Sequence, residues 1–483
     1  MEKILSVGID VGTSTTSLVL SRLTIENESS FFSVPKVSIA EKEVIYKSPV
    51  YLTPLLNRSR IDAGALRAIV SGEYEKAGVA SSQISSGAVI ITGESARKEN
   101  ADAVIRALSA FAGDFVVAAA GPDMESLIAG KGSGAWQFSR KNHCRVLNLD
   151  IGGGTSNAVL FDDGDMKACG CLDIGGRLIR LCRQDEGLTV RQVSPAAALA
   201  AQAASVPIAD GSSVSRQDLE RIAGKMAHIL DCFTGADRAP SSEDLELMGK
   251  LQTPGSSPFP VPEDVQTIFF SGGVAEMMLR PAVQTFAYGD IGMLLADAVQ
   301  QSRMRQVFAA GSAGETIRAT VVGAGSYTTS ISGSTVYFDR EVLPVKNVPV
   351  IRLDEQAQRE IFRGNEAPAR EIAAWHQQQQ DICGYMLAME GMADPDYGQM
   401  KAAAAAISRL ADQTMPGGEP LLLAFDRDIA KAMGLLLRGR QGSGRKIICI
   451  DSVHMRSGEF ADLGRPLMDG LVIPVVVKTL VFE

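Results

Sequence analysis

Leu149-Asp150-Ile151-Gly152-Gly153-Gly154-Thr155-Ser156-Asn157-Ala158-Val159-Leu160 is the stretch whose reading decides the fold. Apolar residues flank a Gly/Thr/Ser turn, a pattern that predicts two strands joined as a hairpin. A plain hairpin needs one or two Gly, and three in succession cost conformational entropy on folding. Close approach of the backbone to a ligand explains them, and a di- or triphosphate suits a concavity of successive N–H groups. The pattern has an echo near the amino terminus: Ile9-Asp10-Val11-Gly12-Thr13-Ser14-Thr15-Thr16-Ser17-Leu18-Val19-Leu20. The Asp, the first Gly, one Thr and the closing Val-Leu coincide, and the remaining apolar positions stay apolar. Two copies this far apart predict two related domains rather than a solenoid.

A third element follows. Phe269-Phe270-Ser271-Gly272-Gly273-Val274-Ala275 reads as a strand, a Gly-Gly turn and a helix start, where an adenine and ribose can lie against backbone. Gly175 and Gly176 stand one β segment after the second hairpin. The chain contains no GxxxxGK[ST], and none of its Gly pairs opens a GxGxxG after a first strand, which excludes a P-loop or Rossmann enzyme. Asp10 and Asp150, each at a strand end, suit the holding of Mg²⁺-bound water. Around these motifs, 88–92, 115–120 and 145–149 read as strands, 95–110 as a helix, and 317–323 with 328–338 as paired strands. Long helices are expected from about 355. The tail predicts strands at 420–425, 446–450 and 471–477 around a helix at 427–437. Alternating strands and helices indicate an α/β protein.

The 483 residues correspond to about three domains, placed at 1–140, 141–340 and 341–483. A net charge of −9 and 6% aromatics argue against nucleic-acid binding and against an anionic membrane surface. Glu2 and Asp10 interrupt the amino-terminal segment, which therefore lacks the pattern of a signal peptide. Seven Cys, an odd number over a long chain, fit a reducing cytoplasm. Cys169, Cys171 and Cys182, with His143 and Cys144 nearby, offer a zinc alternative, but the spacing favours buried small thiols. Arg438 to Lys446 reads as an exposed basic turn, and His454 beside Asp451 as structural.

With these motifs in order, the chain resembles the actin, hexokinase and heat-shock chaperone ATPase superfamily, over residues 4 to about 335. The branch it most resembles is that of the ethanolamine ammonia-lyase reactivating factors. That resemblance extends through Thr320 to Gly333, Asp426-Arg427-Asp428-Ile429-Ala430-Lys431, and the tail from Ile450 to Thr479. It implies two related ribonuclease H-like (actin-like ATPase) domains around a nucleotide cleft, plus a C-terminal α/β segment for partner contact. It also implies ATP/ADP and Mg²⁺ as cofactors. Asp10 and Asp150 are then the catalytic pair, and Gly12, Thr13, Ser14, Thr15, Gly152, Gly153, Gly154, Thr155, Gly272 and Gly273 hold the nucleotide. The implied partner is the adenosylcobalamin enzyme ethanolamine ammonia-lyase, from which damaged cobalamin is released. Recruitment to a bacterial microcompartment and a homo-oligomeric state are left open.

One departure stands out. Chaperone ATPases carry an acidic residue before the Pro of the helix linking the domains, whereas here Gly121 precedes Pro122. Asp123 and Glu125 are the local carboxylates that can replace it as metal ligands. Other readings of the same fold are a small-molecule kinase and a filament-forming or cell-division ATPase.

Overall fold

The computed structural model describes residues 2–12, 15–27, 37–57, 60–91, 100, 103–104, 107–108, 111, 121–184, 187–260, 264–281, 284–327, 330–333, 335–380, 384–415, 418–440 and 444–479. The expected strand at 115–120 lies outside them, as do Thr13, Ser14 and most of the expected helix at 95–110.

The two Asp-led stretches build the same sheet twice. Glu2–Val11 and Thr15–Asn27 pair antiparallel, with Asp10 opposite Ser17 and Val11 opposite Thr16. Arg145–Ile151 and Ser156–Asp162 do the same, with Asp150 opposite Asn157 and Ile151 opposite Ser156. In each sheet a third strand, Val37–Lys47 or Asp165–Leu172, adds antiparallel beyond the hairpin. On the other side a parallel strand, Ile84–Ile91 or Thr267–Ser271, joins the first strand of the hairpin. Equal register in both copies puts both carboxylates at equivalent strand ends. Each sheet has its own apolar core, one around Val7, Ile9 and Leu66, the other around Leu149, Ile222 and Leu295. The expected α/β class with two related domains is therefore observed.

Two helices connect the halves. Pro122–Gly132 begins with Pro at its first turn, the position where a missing N–H costs nothing. It lies on the second sheet, where a Cβ on Gly130 would stand 2.5 Å from Val159 Cγ1. Ala319–Tyr327 lies on the first sheet, where the Ser6 hydroxyl donates to the Gly325 carbonyl at 2.5 Å. The strand expected at 317–323 is thus corrected to the start of a helix. Val321 and Val322 carry β propensity, but burial against the first sheet overrides it. Of its expected partner, 328–338, the residues Ser330–Ile331 and Tyr337–Phe338 are short strands of a different sheet, while 328, 329 and 334 lie outside the described residues.

The C-terminal region centres on four parallel strands, Val345–Arg352, Met386–Met389, Leu421–Phe425 and Ile447–Asp451. Helices Glu355–Phe362, Ala367–Gln380, Tyr397–Thr414 and Ala430–Arg440 connect them, and their apolar sides form one core with the sheet. The sequence reading located the strands near 421 and 447 and the last strand, Pro474–Thr479. It did not identify Val345–Arg352, Met386–Met389 or Glu459–Leu463.

Candidate nucleotide cleft

Asp10 and Asp150, from opposite sheets, line one cavity of about 360 Å³. Gly12 and Thr15 form one wall, Gly152, Gly153, Gly154 and Thr155 the facing one. Both turns are closed by the same bond: Gly12 N donates to Thr15 O at 2.8 Å, and Gly152 N to Thr155 O at 2.9 Å. The Thr53 hydroxyl braces the first turn by donating to the Gly12 carbonyl at 2.8 Å.

The segment Gly175–Arg177 backs the second turn. Gly176 N donates to Gly152 O at 3.0 Å and Arg177 N to Gly153 O at 2.7 Å. In a trans peptide the carbonyl and the following N–H point in opposite directions. The N–H groups of Gly153 and Gly154 therefore point away from this segment. A Cβ on Gly175 would meet the Gly153 carbonyl carbon and oxygen at 2.5 Å, which accounts for Gly at that position.

Ser271 and Gly272 start the helix Gly272–Leu279 and join the third motif to the second hairpin. Gly272 has φ +91°, and a Cβ there would stand 2.3 Å from Ile151 O. Ser271 Oγ donates to Asp150 Oδ1 at 2.6 Å and accepts from Asn148 Nδ2 at 3.2 Å. Asp150 is 5% exposed, and burial pushes its carboxyl up to about 6, against the opposing pull of the Ser271 hydroxyl.

The two carboxylates on the connecting helix part company. Glu125 is buried and lines the cavity. Asp123 instead accepts from Ser257 N at 3.0 Å and from the Ser257 hydroxyl, and does not line that cavity. Residues two apart on a helix do not share a face, so the cleft can take one of this pair and not both.

Gly273, Met277, Tyr288 and Asp290 line the far end of the cavity together with Arg177. The Arg177 Nε is buried and has no hydrogen-bond partner. Asp290 is held above the usual carboxylate range by burial, and its Oδ1 accepts from Gly292 N at 2.9 Å. Tyr51 lines the first-domain wall and donates to Glu73 Oε1 at 2.6 Å, while Tyr46 donates to Oε2 of the same buried carboxylate at 2.7 Å. Sequence reasoning missed Arg177, Asp290 and Tyr51. Adjacency to Gly175-Gly176 was the available signal for Arg177, and nothing local marked the other two. Cys169 and Cys171 are buried thiols. Among the described residues no helix is long and apolar enough to cross a membrane.

Matched hairpins facing across a cavity, with a Gly-Gly helix start beside them, define an actin-like fold. Within it, the chain belongs to the family described as ethanolamine utilisation protein EutA, whose model matches residues 2–483. It is 36% identical to the ethanolamine ammonia-lyase reactivase EutA of Salmonella typhimurium, over 99% of both chains. Identity to the protein of the same description from Escherichia coli K12 is also 36%, again over 99% of both. Solved structures similar to it include an Aquifex aeolicus PPX-GPPA enzyme, at 12% identity and TM-score 0.39, covering 67% of this chain and 99% of that one. Another is the ethanolamine utilization protein EutJ from Carboxydothermus hydrogenoformans, at 14% identity and TM-score 0.32, covering 67% and 90%.

Proposed function

We propose that this chain is an ATP-driven reactivating factor for adenosylcobalamin-dependent ethanolamine ammonia-lyase, opening the lyase so that damaged cobalamin leaves and intact cofactor enters. The observation that carries this reading is the 36% identity, over 99% of both chains, to two proteins described as reactivases of that lyase. The cleft supports the nucleotide part. Its donor set fits a Mg²⁺-nucleotide: a turn with amides directed away from its backing segment, carboxylates at two strand ends, and a buried guanidinium Nε with no partner.

In this proposal the Gly153 and Gly154 amides and the Thr15 and Thr155 hydroxyls hold phosphate oxygens, and the hydroxyls of Thr13 and Ser14 are proposed as further donors. Asp10, Asp150 and Glu125 would hold Mg²⁺ through water, and Ser271 keeps the Asp150 carboxylate oriented. Gly272 and Gly273 give the adenosine a flat backbone surface. When bound, Mg²⁺-ATP supplies a cleavable phosphoanhydride and a bridge whose loss on hydrolysis changes the favoured angle between two domains. Residues 1–140 and 141–340 are proposed as those ATPase domains, and 341–483 as the region that meets the lyase. The proposed setting is the cytoplasm, or a microcompartment within it that houses the lyase.

The test is direct. Lyase blocked with an inactive cobalamin is incubated with this protein, ATP, Mg²⁺ and fresh adenosylcobalamin, and deamination of ethanolamine is followed. Activity should return with ATP and stay absent without it. No return, or phosphorylation of a small alcohol instead, would overturn the reading. A second expectation concerns Arg177. Arg177→Met should weaken Mg²⁺-ADP binding about 10- to 100-fold, the range for losing a charge-assisted hydrogen bond to a phosphate. Calorimetric titration giving an unchanged Kd would remove Arg177 from the site.

A further inference from the structure

Among the described residues, one group of His, Cys and carboxylate side chains brings its donor atoms together away from the cleft. His228 and Cys232 lie four apart on helix Arg216–Phe233, and so share one face. Their donor atoms and a carboxylate oxygen of Asp237 all lie within 4.8 Å of one another. Asp244, from the next helix, brings Oδ2 to 3.2 Å from His228 Nε2, and Cys232 Sγ is 4.0 Å from the same nitrogen. Tetrahedral zinc with ordinary bond lengths separates N and O donors by about 3.4 Å and N and S donors by about 3.6 Å. The Cys232 Sγ to His228 Nε2 spacing of 4.0 Å stands a few tenths of an ångström above the N–S value.

We infer that His228, Cys232 and Asp237 form a three-residue site for a zinc-class transition metal ion, with Asp244 placed beside His228. A buried Cys is ordinarily a small apolar packing residue, but this thiol faces an imidazole nitrogen and carboxylates. Outer contacts orient both acids: Asp237 Oδ1 accepts from Arg303 and from Ala239 N, each at 3.1 Å, and Asp244 Oδ1 accepts from Lys225 at 2.5 Å. Such outer partners are typical of metal-ligating carboxylates. Sulfur and nitrogen donors select zinc-class ions over Mg²⁺ or Ca²⁺. His228 also lines a neighbouring cavity of about 510 Å³. The ion would fasten residues 234–250 back onto the helix. That segment runs on to Ser257, which holds Asp123 on the connecting helix.

The experiment uses the full-length chain, stripped with chelator and titrated with Co²⁺. One equivalent should bind, with a thiolate-to-cobalt charge-transfer band in the near ultraviolet, and Zn²⁺ should displace it. Co²⁺ held by carboxylates in the nucleotide cleft gives no thiolate band, so the readout is independent of ATP binding and of lyase reactivation. Cys232→Ser should abolish the band, whereas Cys182→Ser should keep it. Asp237→Asn retains an oxygen for Arg303 and should weaken Co²⁺ binding more than tenfold with an unchanged circular dichroism spectrum. Absence of the band at one equivalent, its survival in Cys232→Ser, or unchanged affinity in Asp237→Asn would overturn the site.

Discussion

Asp150→Asn is expected to cut ATP turnover by more than about 100-fold, the scale for losing a group that positions the attacking water, while leaving the protein at least as stable as wild type above pH 6. The two effects have one origin. Asp150 sits at a strand end with its carboxylate buried, and burial lifts its pKa to about 6 although Ser271 donates to it at 2.6 Å. The unfolded value is about 3.9. Between those values the folded state binds more protons, so stability falls as pH rises through that window. The charge penalty is fully present above pH 6 and absent below about pH 4. At two pKa units it is worth about 3 kcal/mol at most. Asn keeps an acceptor for Ser271 and removes the charge. Melts of nucleotide-free protein in EDTA from pH 4 to 8 should therefore show the variant gaining on wild type with rising pH. Phosphate release gives the turnover. Unchanged turnover would take Asp150 out of the chemistry, and a variant less stable than wild type at pH 8 would mean that burial is not what governs its charge.

Glu125 makes the complementary point. It too is a buried acid on the cavity wall, at the first turn of a helix whose N-terminus favours negative charge. A cleft lined by five carboxylates, Asp10, Glu125, Asp150, Glu276 and Asp290, is unfavourable for a bare nucleotide and becomes favourable once Mg²⁺ supplies counter-charge. The acidic balance of the whole chain, −9, leaves this to be done locally.

The parts of the fold that were legible in the sequence are those whose conformation is set locally. Asp10-Val11-Gly12 and Asp150-Ile151-Gly152 declare their hairpins through turn chemistry, and the two registers agree residue for residue. The third motif was legible for the same reason, since Gly272 needs its positive φ. What was not legible depends on partners distant in sequence. Val321-Val322 becomes helical because it packs on the first sheet. Val345–Arg352 contains Pro349 and Met386–Met389 is four residues long, so neither carries a strand pattern strong enough to read alone. The choice between Asp123 and Glu125 needed the phase of a helix against the cleft. Arg177 needed the cavity itself.

The second large effect concerns the crossing of the two connecting helices, where local propensity and packing predict opposite signs. In a helix Ala is more favourable than Gly by about 1 kcal/mol. Gly224, exposed on helix Arg216–Phe233, has nothing within 4 Å of an added Cβ, so Gly224→Ala should stabilise by about that amount. Gly323 lies in helix Ala319–Tyr327, where an added Cβ would stand 2.1 Å from the Ile128 carbonyl oxygen. Gly132 on the partner helix is reciprocal, its Cβ falling 1.8 Å from Ala319 O. Gly8 repeats the theme where the same helix meets the first sheet, 2.2 Å from Val321 O. These neighbours are backbone atoms, which yield only if a whole helix moves. Gly323→Ala should therefore cost about 3 kcal/mol, the upper end of the usual range for overpacking a close-packed interior. Chemical denaturation of the two variants decides it. Equal or greater stability for Gly323→Ala would mean that the helices are free to separate. The crossing matters for the proposed mechanism because each helix lies on the other domain's side of the cleft floor. A nucleotide that changes the angle between the domains must do so by sliding these backbones past each other. A crossing where glycines let the two backbones approach this closely permits that shear while the halves stay in contact.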